Sequence, residues 1–424
     1  MLHSAYITEE RERKLTITIQ GHTRYGIKDN PARSSRWQIL QRLYRQADWS
    51  RVDLAEDLGV SKSTISKHIN DLLDEGLCYE LGEADQQGQG RKRTLLSFRA
   101  DYRYLLLLDF GQVQPRLAIT DLYGKPLAQL PVSLDDNTSQ DDLSNQLLSS
   151  SQQLLASCQL EAKALALLAV AAPGVVDLHA QSFYTDGFYA RWDLPGLCHS
   201  LAQHHSLETF FYNDVNAAAW GEYIVKQDER KNLVYMAGGS GLGLGLILNG
   251  ELYLGSSGSA GEISSLLLSN LPALFKDEET SLSLVDAQYI PIASRSSIRV
   301  LLKELNRQKR DEDDKSVKDT VPLTYQDFFN LWKMGDPTAH MLAQSMGESL
   351  GVFLYNLSLL LDIDLVVLDQ SYQPFDQYID LTLKQLAPSK ERDRLKITIS
   401  TLGEAACFTG LADLAMETLL ARWA

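Results

Sequence analysis

The chain has 424 residues, 44% of them hydrophobic, with 40 Lys+Arg against 55 Asp+Glu and a net charge of −15. That is apolar material for about three domain-sized cores, and no apolar run is long enough to span a bilayer. The N-terminal MLHSAYITEERERK lacks a signal-peptide core, and Cys78, Cys158, Cys198 and Cys407 are too scattered for a zinc knuckle or an exported disulfide framework, so a cytoplasmic protein with free thiols is expected.

Charge is unevenly divided: residues 1–100 hold 16 Lys+Arg against 14 Asp+Glu, leaving 24 against 41 for the remainder. An acidic body repels nucleic acid, so any contact with DNA has to come from the front of the chain and should weaken with salt. Residues 1–30 form an N-terminal arm. Its alternating Leu15 to Ile19 (LTITI) reads either as a strand pairing with another subunit or as a partly ordered extension.

Residues 31–100 read as a winged helix-turn-helix domain. Ile39, Leu40 and Leu43 give a first helical stripe. Ser50 caps a second helix, with Asp53 as an acidic capping-box partner; Leu54, Ala55 and Leu58 share its inner face, and Gly59 supplies the turn. Ser61 caps a third helix in which Ile65, Ile69, Leu72 and Leu73 recur at core spacing, leaving Lys62, Ser63, Thr64, Ser66 and Lys67 to point outward. Ser61 and these five are the candidate contacts to base edges and phosphates, against the plainer reading of a solvated face. Gly88 to Arg93 (GQGRKR) lies between two strand-like segments, CYELG and TLLSF. It reads as a wing whose Arg91, Lys92 and Arg93 reach phosphates or the minor groove, or as an ordinary basic loop.

After Ala100 the pattern turns to α/β. Tyr104 to Asp109 and Arg116 to Asp121 read as neighbouring strands, Asn145 to Cys158 as a helix, and Ala166 to Ala172 as a buried strand ending at Pro173-Gly174. The order then returns: Asn232 to Met236 is a strand, a glycine-rich turn follows, and Gly245 to Asn249 begins a second strand. Two similar halves with a crevice between them are implied. Lys303 to Lys318 reads as a helix end running into a charged loop.

Asn213 to Glu222 (NDVNAAAWGE), Gly239 to Gly250 (GSGLGLGLILNG), and Gly258 to Glu262 (GSAGE), in this order behind a winged helix, resemble the ROK family of bacterial sugar-responsive repressors, open reading frames and sugar kinases. The resemblance runs from about Arg33 to the C-terminus. It implies an α/β fold in which the winged helix-turn-helix precedes a two-lobed, actin-like, sugar-kinase-like ATPase body. The lobes are residues 101–220 and residues 221–424, with a C-terminal helix returning to the first lobe. By this resemblance Asp214 stands where the kinases hold the base that takes the sugar hydroxyl proton, although Asn213 and Asp214 also stand where a helix cap is expected. Glu262 is a candidate hydroxyl acceptor or a solvated turn residue. Asn213, Asp214 and Glu262 are thus the candidate ligand contacts.

The sequence departs from the kinase pattern at several points. Gln112 and Val113 follow Asp109-Phe110-Gly111 where the family has Gly and Thr, Leu244 replaces a loop glycine, and Asp369, Gln370 and Ser371 stand where a Gly-Gly pair would accept adenosine. Ser264 and Ser265 replace the Gly-His that precedes a zinc-binding cysteine cluster, and no His or Cys occurs from Glu262 to Ile298. No metal, no nucleotide cofactor and no catalytic residue are therefore expected. Phe188 and Tyr189, ahead of Trp192, either stack on a sugar or fill core. The reading is a sugar-responsive transcriptional regulator, expected to repress. It would bind a double-stranded DNA operator as a homodimer or tetramer and sense a sugar or sugar phosphate through a non-catalytic body. The competing readings are an ATP-dependent sugar kinase with an appended DNA-binding domain, and a regulator controlled by a protein partner.

Overall fold

The computed structural model describes residues 34–83, 93–111, 115–135, 137–177, 180–185, 187–226, 231–238, 241–269, 289–312, 322–386 and 395–424. The N-terminal arm, the wing tip with Arg91 and Lys92, Gln112 and Val113, Gly239 and Ser240, and the charged stretch 313–318 lie outside them.

The first three helices form where the capping residues and apolar spacing place them. Ser34 accepts from the Trp37 N–H at 3.1 Å and opens α1 (Ser35–Arg45), which buries Ile39, Leu40 and Leu43. After a short strand β1 (Trp49–Ser50), the expected capping box at Ser50 and Asp53 closes in both directions over α2 (Arg51–Leu58). Gly59 ends this helix at φ +63°, in the left-handed region that favours glycine. Ser61 caps α3 (Lys62–Asp74), whose Ile65, Ile69 and Leu72 are buried. Strands β2 (Cys78–Glu83) and β3 (Thr94–Phe98) pair antiparallel as the wing, and β1 completes a three-stranded sheet in the order β1-β3-β2.

The first lobe of the body opens with a meander of β4 (Tyr104–Asp109), β5 (Arg116–Thr120) and β6 (Pro126–Pro131). Helix α4 (Gln140–Ser157) leads to β7 (Leu165–Ala172), a ribbon of β8 (Val175–Asp177) with β9 (Ser182–Tyr184), helix α5 (Leu194–His204) and β10 (Thr209–Asn213). Helix α4 starts five residues before the Asn145 expected from the apolar pattern, because Ser139 and Asp142 form a capping box over a polar first turn. The sheet order is β10-β7-β4-β5-β6, with β4, β7 and β10 parallel. Residues along β4 alternate sides: Leu105 and Leu107 face a core shared with the DNA reader, whereas Leu106 and Leu108 face α4 and α5.

Helix α6 (Asp214–Lys226) links the lobes. The second lobe repeats the scheme with β11 (Leu233–Gly238), β12 (Leu242–Leu248) and β13 (Glu251–Leu252). A ribbon of β14 (Leu267–Ser269) with β15 (Tyr289–Pro291) precedes helices α7 (Ala293–Ser296), α8 (Ile298–Glu312), α9 (Tyr325–Lys333) and α10 (Pro337–Leu361). Strand β16 (Leu365–Leu368), α11 (Asp376–Leu386) and β17 (Lys396–Ile399) complete it. Its sheet order, β13-β12-β11-β16-β17, again joins an antiparallel meander to two parallel strands. The two halves expected from the sequence are thus real. The expected glycine-rich turn is instead strand from Leu242 onward, because Gly243 and Gly245 let β12 lie on α6: a methyl group on Gly245 would sit 2.3 Å from the Ala219 Cβ.

The last helix, α12 (Ala405–Trp423), is buried around almost its whole circumference. One side meets α6 at backbone distance: a methyl on Gly410 would lie 1.8 Å from the Ala217 carbonyl oxygen, and one on Gly221 would lie 2.1 Å from that of Ala406. Another side receives the DNA reader. Arg45 Nη1 and the Tyr44 hydroxyl donate to Asp413 Oδ1 at 2.6 and 3.1 Å, and Trp220 Nε1 donates to Asp413 Oδ2 at 2.8 Å. Tyr123 stacks on Tyr44 with ring centroids 5.3 Å apart, and Arg36 Nε donates to the Trp423 carbonyl at 2.7 Å. Removing one partner from a buried pair such as Arg45–Asp413 strands a charge, at a cost of about 3–5 kcal/mol.

Because no side-chain motion relieves a Cβ placed against backbone, Gly410→Ala should lower unfolding stability by roughly 1–3 kcal/mol or more. Urea denaturation measures the loss, and a change below about 0.5 kcal/mol, the range of an ordinary surface substitution, would contradict close packing of α6 on α12.

Candidate functional site

The outward face of α3 carries Lys62, Ser63 and Lys67 exposed, with Thr64 and Ser66 half-buried beside them. Ser61 is exposed too, but its hydroxyl already accepts from the Thr64 N–H at 3.1 Å and bonds the Ser63 and Thr64 hydroxyls at 2.8 Å. It therefore sets the start of the helix that presents the others. Arg93 is not directed outward alone: its Nη1 pairs with Asp53 Oδ1 at 2.6 Å, tying the wing strand to the first turn of α2. Arg51 holds the other wing strand through Glu80 at 3.1 Å. Among the described residues, Lys62 and Lys67 are thus the cations of this set without a carboxylate partner, and each should neutralise a phosphate. Lys62→Ala and Lys67→Ala should each reduce the slope of log affinity against log salt by about 1 on any duplex bound. Unchanged slopes in fluorescence anisotropy titrations would remove α3 from the interface.

The crevice is built on the carboxyl ends of the parallel strands of the first lobe. Asp109 pairs in register with Ala171, and Asn213 with Ala172, so Asp109, the Pro173-Gly174 turn and the start of α6 share one sheet edge. Ligands collect at such an edge in open α/β sheets. Asn213 is committed to scaffolding: it accepts from the Asn216 N–H at 2.9 Å as the helix cap and donates to the Gly174 carbonyl at 2.8 Å. The cap reading of this dipeptide holds for Asn213, and Asp214 is the first helical residue. On the opposite side, Gly261 accepts from the Leu244 N–H at 2.9 Å and fixes the loop that carries Glu262.

Asp109 and Glu262 both act electrostatically on Asp214. Burial raises the Asp214 carboxyl to about 7, with further upward pushes from Asp109 and Glu262 against a backbone hydrogen bond from Val215. Burial, with the nearby Asp214 and Asp109, also raises the phenol of Tyr189, whose hydroxyl donates to the Phe110 carbonyl. Phe188 packs edge-on against Trp192 at 5.1 Å, and Phe188 and Tyr189 are both partly buried against the first-lobe core.

A residue that the sequence reading passed over shapes the rest. Arg116 Nη2 lies 2.7 Å from Asp109 Oδ2 and donates to the Glu404 carbonyl at 2.9 Å, while its guanidinium lies over Phe408, 4.7 Å from the ring centroid. Its signal was a basic residue opening an otherwise apolar strand, directly opposite Asp109. At the far end, the Gln370 side chain lies against Gly403, Tyr325 donates to the Ser371 carbonyl, and a methyl on Gly238 would lie 2.1 Å from the Tyr372 hydroxyl. These side chains pack the segment that follows the strand Leu365–Leu368.

Residues 106–418 match the ROK family, and residues 33–77 match a winged helix-turn-helix DNA-binding domain. The chain belongs to the ROK family. It is 24% identical over 388 residues to the xylose repressor of Bacillus subtilis (strain 168), covering 90% of this chain and 94% of that protein. The crystal structure of a ROK family transcriptional regulator, a homologue of the E. coli MLC protein, superposes with a TM-score of 0.70 at 19% identity, over 91% of this chain and 98% of that one. A ROK family glucokinase from Streptomyces griseus, in complex with glucose and AMPPNP, gives a TM-score of 0.59 at 18% identity over 74% and 99%. The ROK body therefore has the sugar-kinase-like fold, with the winged helix-turn-helix joined in front. Among the described residues no helix is long and apolar enough to cross a membrane.

The raised Asp214 has a measurable consequence. With its folded pKa above the ordinary carboxylate value, the folded protein keeps a proton that the unfolded chain has lost, so this group makes stability fall as pH rises from about 4 to about 7. Asp214→Asn should flatten that slope and raise stability at pH 8 by about 2 kcal/mol after solvent screening in an open crevice. Urea melts at pH 5 and pH 8 measure it, and an unchanged difference between the two would place Asp214 in contact with water.

Proposed function

We propose that this ROK protein is a sugar-responsive DNA-binding regulator, acting as a repressor, whose body senses a sugar or sugar phosphate in the crevice at Asp214 and Glu262 without phosphorylating it. The observation that carries the reading is the 2.7 Å pair between Arg116 and Asp109, in a body whose first lobe shares its core with a winged DNA reader. A kinase needs the phosphate end of its crevice open to a metal-bound nucleotide; here an arginine neutralises it, while Asp214 remains at the edge where a sugar hydroxyl would bind. Sugar hydroxyls donate well to carboxylates, and a carboxyl near neutrality can also donate. The ligand would stabilise one lobe arrangement and so change the spacing of paired readers in a homodimer.

The kinase reading keeps one specific support, since a carboxyl at about 7 has the proton affinity of a general base at neutral pH. Thermal-shift screening of the full chain with D-xylose, D-glucose and their phosphates, followed by DNA binding with the stabilising compound, separates the readings. One sugar should raise the melting temperature and change affinity for a duplex selected from random DNA by about tenfold. Asp214→Asn should abolish both effects. ADP release that depends on both sugar and Asp214 would establish the kinase instead, and the absence of any selected duplex would refute the regulator.

A further inference from the structure

The carboxylate of Asp413 joins three parts of the molecule. Its Oδ1 accepts from Arg45 and Tyr44 of the DNA reader, and its Oδ2 accepts from Trp220. Trp220 lies on α6, the helix that begins at Asp214 in the crevice. The carboxylate is 4% exposed and the arginine 9%, so neither is a solvated surface charge. Helix α6 cannot shift relative to α12 without driving backbone into backbone at Gly221 and Gly410, and packed interiors resist such compression. A tilt of α6 produced at its Asp214 end therefore moves α12 with it. The contact that passes the motion to the reader is Asp413, with Tyr44 held in place by Tyr123 on one face and Phe98 edge-on.

We propose that Asp413 is the positioning residue that sets the reader against the ROK body, so that the crevice controls the geometry of α3 through α6 and α12. An acidic side chain suits the role because it alone offers acceptors on both oxygens to three donors from two sides; asparagine has one acceptor oxygen and would set its amide against either Trp220 or Arg45. This inference rests on the regulator reading for its DNA consequence, but the joint itself can be measured without DNA or sugar.

The test uses full-length protein in four forms: wild type, Asp413→Asn, Arg45→Lys, and Arg45→Met, the last leaving Asp413 bonded to Tyr44 and Trp220. In calorimetry the wild-type reader and body should unfold as one transition, whereas Asp413→Asn and Arg45→Met should each show a separate reader transition at lower temperature, with Arg45→Lys keeping the single transition. On duplexes selected by the wild type, adding one base pair between half-sites should weaken wild-type binding about thirtyfold and variant binding less than about threefold. Two transitions in the wild type, one in all variants, or identical spacing discrimination in wild type and variants would overturn the proposal. If the wild type selects no duplex or shows no spacing preference, the regulator reading fails, and calorimetry alone decides whether Asp413 is the joint.

Discussion

The direct backbone contact between α6 and α12 is the constraint on which the rest of the structure depends. Helices normally keep 8–10 Å between axes because side chains separate them; here Gly221 and Gly410 remove the side chains and the two main chains touch. Everything of chemical interest hangs from this pair. Helix α6 carries Asp214 at its first residue and Trp220 in its interior, while α12 follows Glu404, which bonds Arg116, and carries Asp413, which bonds the reader. This pair reaches the crevice at the Asp214 end and the reader along the Asp413 side, with no flexible segment between them.

Electrostatics then divides the carboxylates of the crevice. Asp109 has Arg116 at 2.7 Å and the Gly111 N–H at 2.7 Å. For Asp214, burial and two neighbouring carboxylates outweigh its backbone hydrogen bonds, and its proton is retained toward neutrality. Two acids on one sheet edge thus sit in different surroundings. The same arginine that stabilises Asp109 also bridges to Glu404 at the head of α12, so the charge balance of the crevice and the placement of the coupling helix share a residue.

The repeated sheet order explains why these groups converge. In each lobe a meander is extended by two parallel strands, and the parallel strands of the first lobe end together at Asp109, Ala172 and Asn213. In the second lobe the corresponding edge holds Leu368 and Ile399, followed by Asp369 and Ser400. Aromatic hydroxyls and Gln370 pack that second edge, with Tyr235 donating to Asp369 at 3.3 Å. One edge presents acids to the crevice and the other is filled with side chains, an asymmetry imposed on a duplicated frame.

Local chemistry wrote the reader plainly into the sequence: the Ser50–Asp53 box, Gly59 and Ser61 act within a few residues of themselves, and the stripe at Ile65, Ile69 and Leu72 reports a helix face directly. Strand alternation and the run NDVNAAAWGE likewise determined the two halves and the place of Asp214. Its capping partner was ambiguous because Asn213 and Asp214 are both able to cap, and only the Gly174 carbonyl, brought from 39 positions away, chose Asn213. The start of α4 was misjudged because a capping box in a polar turn carries no apolar period. The partners of Arg116 and Asp413 were not legible for a different reason. Each is an isolated charge in an apolar element, and its partners, Glu404 for one and Arg45 with Trp220 for the other, are separated from it by 193 to 368 positions along the chain. Short-range preferences determine helices, strands and caps; which buried charge meets which is decided only when tertiary packing removes water and leaves each charge to find a partner.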